Sequence, residues 1–521
     1  MMISNLTVFL CIIWASTLLY GEKFSFWVPS YWTCSWPQMD TVDNPGEYVK
    51  IAVITDPQLM DRTSLKLAPK SLTLEIVQFY TDVFMRRAML ASIMPFKPDV
   101  VLFLGDYFDG GPVLSDEEWQ DSLNRFRHIF DLNTLEKITN NHVYFLSGNH
   151  DIGYAAYHSR NPEVISRYEK VFGSRNYGFT AGEVEFVAVD SQTLDGLPQQ
   201  NQTAASWNFV NIVSKDTSSP PRVLLTHMPL YRPDWTSCGS QRSSPIINQR
   251  ISRATDDREI MYQNYLTKKT TNKLLDSIKP VLVLSGHDHD QCSVTHITSH
   301  GPVVEHTLGT ISWQQGNLYP SFMLATASKL AVSNASNAVS TRLCFLPAQT
   351  FIYIWYLLLF VITLVVVLLW PSNGLRINLH IGDLLSHILG IFRNNTKEKN
   401  EDDNCEYEMV WDAEGSMHLI KKAVKIAPSR STERIERGNA TMRATAKKQI
   451  MQEINVTMPQ DVSGQLGPDA VAKLGGFKTN KSNIIRLVIR RLIRAFLVIS
   501  VVAAVNVPIY IMMLFSDWIE K

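Results

Sequence analysis

Five short polar phrases hold the chemistry of this chain, and each follows an apolar, β-branched run. Asp56-Pro57-Gln58 comes after VKIAVIT (49–55), Gly105-Asp106-Tyr107-Phe108-Asp109-Gly110 closes DVVLFLG (99–105), and Gly148-Asn149-His150-Asp151 closes HVYFLSG (142–148). Two later runs end in Thr226-His227 and in Gly286-His287-Asp288-His289. Alone, each has an ordinary explanation: an Asp after a strand caps a turn or a helix, and GNHD reads as a polar loop. As an ordered set they deliver oxygen or imidazole donors to one edge of a sheet, where open α/β sheets place ligands. Carboxylates, an amide and histidines without a thiolate suit Mn, Fe or Zn ions rather than a structural zinc cage. Two ions in one such site require a shared ligand.

The elements that must position these residues follow from periodicity. The first three strand-like runs alternate with helical patterns at 72–95 and 116–138, giving βαβαβ. Further strand-like runs lie at 184–190, 222–226, 280–285, 302–307 and 321–326, with helical stretches near 162–172 and 259–278. Many strands with helices outside predict an α/β fold, a layered β-sandwich flanked by helices. Arg232 to Asp257 is too polar for core and predicts a long loop beside the site.

Five ordered motifs, Asp-x-Gln, GDxxDG, GNHD, TH and GHDH, are similar to the blocks of the calcineurin-like metallophosphoesterases over about residues 49–310. The Asp-Pro-Gln opening and the THMPLYR phrase at 226–232 resemble, more narrowly, the membrane-bound phosphoesterases that remove an ethanolamine phosphate from a mannose of glycosylphosphatidylinositol (GPI) anchors. The resemblance implies that Asp56, Gln58, Asp106 and His289 hold one divalent ion and that Asp106, Asn149, His227 and His287 hold the other, with Asp106 bridging. Gln58 departs from the His usual there, and its harder amide oxygen biases the pair toward Mn²⁺. His150 is the candidate that stabilises or protonates the leaving alkoxide, with Asp109 orienting its imidazole. Arg232 is a candidate phosphate contact or, equally, a solvated loop residue. Asp151 and Asp288 are expected to orient neighbouring ligands or cap turns, while His296, His300 and His306 fall outside the motifs.

Composition sets the surroundings. The 521 residues carry 49 Lys plus Arg against 49 Asp plus Glu and are 45% hydrophobic, which excludes wholesale disorder and disulfide-dense mini-domains. Residues 21–350 hold 28 basic and 33 acidic side chains, so no nucleic-acid partner is expected. Residues 371–494 hold 20 basic and 14 acidic ones. Residues 351–370 and 495–515 are uncharged and long enough to cross a bilayer, and 6–20 is a signal peptide or an anchor within the N-terminal 1–21. Lys478, Lys481, Arg486, Arg490, Arg491 and Arg494 precede the last span and only Lys521 follows it. By the positive-inside rule, 371–494 is then a cytosolic linker or small domain with a basic amphipathic end, and 516–521 a luminal tail. That leaves 22–350 as a luminal domain in the endoplasmic reticulum or Golgi membrane, with sequons at Asn201 and Asn334 accessible. Cys238 and Cys292 are either a disulfide or two buried thiols.

The function expected is a two-metal phosphodiesterase acting on GPI glycolipid or GPI-anchored proteins and aiding their transport. The alternatives are the same machinery acting on another phosphorylated lipid or glycoprotein, or a binding protein without turnover.

Overall fold

The computed structural model describes residues 5–38, 48–65, 68, 70–140, 142–158, 161–216, 220–255, 258–330, 335–370, 406–411, 417–422 and 481–519. The chain divides into two units, one of residues 1–369 with 489–521 and one of residues 370–488.

Two large sheets build the core of the first unit. β1 (Tyr48–Ile54), β2 (Val100–Phe103) and β3 (Val143–Phe145) run parallel, and β12 (Ser321–Ser328) and β13 (Val339–Phe345) extend them antiparallel in the order β13-β12-β1-β2-β3. The second sheet contains β4 (Tyr177–Ala181), β5 (Val184–Val189), β6 (Arg222–Thr226), β9 (Leu282–Ser285), β10 (Cys292–Thr298) and β11 (Gly301–Thr307), in the order β10-β11-β9-β6-β5-β4. Strand alternation decides what each face packs on. Ile51 and Val53 of β1 meet Phe186, Val223, Leu225 and Leu284 of the second sheet in a dry layer between the sheets. Ala52 and Ile54 face the other way, against Phe84, Met85, Leu123 and Phe126 of the helices Leu72–Arg87 and Asp116–Ile129. Beyond the second sheet, Val187, Leu224 and Val283 pack with Val210, Leu274 and Leu275 of the helices Asn201–Lys215 and Lys268–Ile278. The layered sandwich expected from the sequence is present.

Some elements differ from the sequence expectation. The helical pattern at 259–278 begins as β8 (Ile260–Gln263), which pairs antiparallel with β7 (Ile251–Arg253) inside the polar stretch expected as loop. Ile260 and Gln263 are buried while Met261 and Tyr262 are exposed, and a helix beginning at Lys268 follows a Thr267 cap. The pattern at 116–138 breaks at Asp131, whose φ of 44° interrupts the helix. Cys238–Cys292 is a disulfide, and Cys34–Cys344 is a second one not anticipated.

Among the described residues, three helical stretches are long and apolar enough to cross a membrane: Asn5–Thr33, Gln349–Leu369 and Ile485–Ile519. They meet the layered sheets and helices in an ionic cluster. Arg87, only 5% exposed, pairs with Glu22 and, at 2.6 Å, with Asp517, while Lys23 pairs with Asp517 and the Tyr356 hydroxyl donates to Glu22 at 2.9 Å. In the second unit β14 (Glu406–Trp411) and β15 (Met417–Lys422) form an antiparallel hairpin. Most of 371–480, the sequon at Asn334 and the ends of the chain lie outside the described residues. Asn201 opens the helix Asn201–Lys215 and is exposed.

Candidate metal centre

β1, β2, β6 and β9 end side by side, and their following turns carry the donors. Asp56, Gln58, Asp106, His287 and His289 all have φ between 39° and 69°. For residues other than glycine this left-handed region is sparsely populated and concentrates at functional sites. Reversing the chain immediately after each strand turns these side chains inward instead of letting them continue along the sheet. The glycines beside them are set by close approach. A Cβ on Gly148 would lie 2.0 Å from Asp106 Oδ1, and one on Gly105, at φ 102°, 2.7 Å from His227 Nδ1.

The structure brings together all seven residues expected as ligands. Donor atoms of Asp106, His227 and His287 lie within 4.8 Å of one another, as do those of Asp56, Asp106 and His289. Asp106 belongs to both groups, which is the geometry a bridging carboxylate needs. Asn149 Oδ1 is 3.2 Å from His227 Nε2, and Gln58 Nε2 is 3.1 Å from Asp106 Oδ2, so both amides sit at the rim of the same cluster. Neither Asp56 nor Asp106 touches solvent. Two buried carboxylates are costly without counter-charge, and cations held among these oxygens and imidazoles supply it. The donor set therefore fits a pair of divalent ions.

A second layer of bonds holds the donors. Asp151 accepts from the backbone N–H groups of Asp106 at 2.7 Å, Tyr107 at 2.8 Å and Gly148 at 2.8 Å, joining the β2 and β3 turns. His227 Nδ1 bonds the Leu104 carbonyl at 2.8 Å, which aims Nε2 at Asp106, 3.2 Å away. Glu305, 1% exposed, accepts from Leu230 N at 2.9 Å and Ser285 Oγ at 2.8 Å, bracing the β6 and β9 turns together.

Electrostatics follow this crowding. Burial raises the Asp56 carboxyl despite His227 and His289. Burial also opposes ionisation of Asp106, but the surrounding His227, His150 and His287 outweigh it and hold that carboxyl far below the usual range. Burial disfavours charge on His227, yet Asp106 pulls it up to about 9. His287, buried and beside His227, is pushed down to about 3. Burial and the adjacent Asp106 carry Asp151 up to about 7.

His150 lines a cavity of about 520 Å³ that opens beside the cluster. Its Nδ1 is 2.5 Å from the backbone carbonyl of Asp109 and 3.5 Å from the Asp109 carboxylate, so the carbonyl, more than the expected carboxylate, fixes the ring. Arg232 does not reach this cavity. Its guanidinium is 2% exposed, bonded to Asp288 and Tyr265, and Arg242 takes the other Asp288 oxygen at 2.7 Å. The phosphate contact expected of Arg232 is therefore replaced by a clamp on the turn between His287 and His289. His296 pairs with Glu305 at 2.8 Å, outside the cluster, as do His300 and His306 with their own partners. The sequence did not single out Tyr154, Tyr157 and Tyr262, which line the cavity. They come from two distant stretches, 154–157 and β8, and share no motif.

Residues 49–291 match the calcineurin-like phosphoesterase family. The chain is similar to Cell division control protein 1 of Saccharomyces cerevisiae, 28% identical over 349 residues that cover 62% of this chain and 67% of that protein. It is similar to Metallophosphoesterase 1 of Mus musculus, 28% identical over 376 residues, 67% of this chain and 85% of the other. The Metallophosphoesterase 1 homolog of Drosophila melanogaster is 26% identical over 352 residues, 64% of this chain and 85% of its own.

Proposed function

We propose that this chain, whose calcineurin-like phosphoesterase domain makes it a metal-dependent phosphoester hydrolase, is a phosphodiesterase that removes ethanolamine phosphate from the glycan of GPI anchors. Its place is the endoplasmic reticulum or Golgi membrane, with 22–350 in the lumen, 371–494 in the cytosol and 516–521 luminal. The substrates are GPI glycolipid or GPI-anchored proteins, and processing aids their transport. One observation carries the lipid-linked part of this reading. The Gln58 carbonyl accepts from Gln314 Nε2 at 3.3 Å, the neighbouring Trp313 ring packs 5.6 Å from Tyr353, and Tyr353 lies in the second turn of the apolar helix Gln349–Leu369. The metal-ligand cluster thus stands three side chains from a helix suited to crossing the bilayer, within reach of a headgroup at its surface.

Asp56, Gln58, Asp106 and His289 would hold one ion and Asp106, Asn149, His227 and His287 the other, Mn²⁺ being favoured by the amide oxygen of Gln58. When bound, such a pair supplies Lewis acidity toward water and the phosphoryl oxygens. The chain's own residues do the rest. Asp106 fixes the separation of the two halves of the site, because both donor groups share it. With Nδ1–H donated to the Asp109 carbonyl, His150 as imidazolium carries its second proton on Nε2 and delivers it to the departing sugar oxygen in the cavity that the ring lines.

The test is release of ethanolamine phosphate from purified GPI by the full-length protein, read by mass, with Asp106→Asn as control. Release by the wild type alone supports the reading, and phosphatase activity without that product refutes it. Metal replacement should give greater activity with manganese than with zinc. Glycan on Asn201 and none on Asn394 supports the orientation, and the reverse pattern inverts it.

A further inference from the structure

The cavity beside the metal-ligand cluster has one wall that the reaction does not use. Tyr154 and Tyr262 stand with ring centroids 5.8 Å apart at 59°, and Tyr157 lines the same space. The Tyr154 hydroxyl donates to the Gln263 carbonyl at 3.0 Å and the Tyr157 hydroxyl to the Pro112 carbonyl at 2.7 Å. Those two hydroxyls are spent on the protein backbone. Tyr154 and Tyr157 are thereby pinned, and their rings rather than these hydroxyls are what they leave for a ligand. Tyr262, 38% exposed, projects from β8 beside Met261, 54% exposed.

We propose that the Tyr154–Tyr262 wall seats the pyranose ring of the leaving alcohol and so sets the preference for a sugar over a plain alcohol; this rests on the phosphodiesterase reading above. Three features select a sugar. A pyranose has an apolar C–H face, which gains dispersion contact on an aromatic face, and a hydroxyl edge that stays in water. The cavity, about 520 Å³, lies within the usual range for small-molecule sites and has polar groups from Thr63, Asp109 and Asn264 among the rings. The ammonium of ethanolamine is the other group an aromatic wall could take, but the Arg250 guanidinium already lies 5.4 Å from the Tyr262 ring. A second cation there meets like charge, so the aminoethyl arm is directed elsewhere.

The placement agrees with the chemistry. His150 lines the same cavity as the tyrosines, so the ester arm lying there is the one that receives its proton. Water oxygen bonds to phosphorus and the bond from phosphorus to the sugar oxygen breaks. The electron pair stays on that oxygen, which takes the proton of His150, and the proton lost by water replaces it. Ethanolamine phosphate and a free sugar hydroxyl result.

The experiment compares two diesters with the full-length, metal-loaded enzyme: methyl mannoside carrying a 2-aminoethyl phosphodiester, and ethyl 2-aminoethyl phosphate, which lacks the ring. The wild type should favour the mannoside, and Tyr262→Ala should lower the ratio of the two kcat/KM values about tenfold, mainly through KM, in line with one aromatic contact. Tyr262→Phe should keep the ratio. Methyl mannoside alone should inhibit the wild type competitively. An unchanged ratio in Tyr262→Ala, equal use of both diesters by the wild type, or absence of inhibition by methyl mannoside overturns the proposal and leaves the phosphodiesterase reading standing. Ethanolamine phosphate released from neither diester removes that reading and this inference together.

Discussion

Replacing His150 separates a proton donor from a metal ligand. The imidazole lies next to Asn149 in sequence, so a ligand role and an acid role look alike until the contacts are counted. Nδ1 is engaged by the Asp109 carbonyl at 2.5 Å, and the side chain is 37% exposed at the cavity, outside the two donor groups built on Asp106. His150→Ala should therefore retain both ions. A positioned general acid contributes about 10²–10⁴-fold, equivalent to roughly 2.7–5.4 kcal/mol of barrier. That loss is expected in kcat for an alkyl leaving group, which departs as a strong base. It should shrink to within about tenfold for a p-nitrophenyl ester, whose phenolate needs no proton. Asp109→Asn should cost only about tenfold, because the backbone carbonyl that holds the ring survives the change. Kinetics on the two leaving groups, with bound metal measured by mass spectrometry, decide the matter. Loss of an ion from His150→Ala, or equal losses on both esters, would refute the acid role.

Three further outcomes follow from other contacts. Gly148→Ala places a methyl 2.0 Å from Asp106 Oδ1 and should displace the bridging carboxylate, lowering activity about a hundredfold and reducing metal content; retained metal would show that the turn yields. Burial opposes ionisation of Glu305, but bonds from His296, Leu230 and Ser285 hold its carboxyl below the ordinary 4.5. Its stabilisation is complete above that value and lost as pH falls through the lower folded one, so thermal unfolding of the wild type should fall more steeply below about pH 4.5 than that of Glu305→Gln. Parallel profiles would contradict this. Arg87→Met leaves Glu22 and Asp517 without their shared cation and should cost about 3–5 kcal/mol in detergent unfolding, with Glu22→Gln added to it restoring part; additive losses would dissolve the supposed cluster.

How much of this was legible in the sequence depended on distance along the chain. Strand-end donors were readable because β-branched runs and the polar residue after them are neighbours; five of the seven cluster directly and Gln58 and Asn149 bond to that cluster. Their left-handed backbones left no trace in residue type, since Asp, Gln and His there are not glycine. Arg232 was misjudged for a nonlocal reason: Asp288, 56 positions away, neutralises it. The Cys34–Cys344 bond spans 310 residues, beyond any spacing rule. The β7–β8 pair escaped because Met261 and Tyr262 face outward together, which hides a two-residue alternation. The tyrosine wall is assembled from the short stretch around Tyr154 and from β8, which meet only in the folded chain.

The order of the first sheet has a consequence for biosynthesis. β1 lies at its centre, yet its neighbour on one side, β12, is made about 270 residues later. At ribosomal speeds of about 5–20 residues per second, that interval is roughly 13 to 54 s. Throughout it the nascent β1 presents an unpaired row of backbone donors and acceptors flanked by Ile51, Val53 and Ile54, an invitation to pair with another chain. Only when Ser321–Ser328 emerges does that edge close, so the half-made domain carries an open central strand until nearly all of it has been translated.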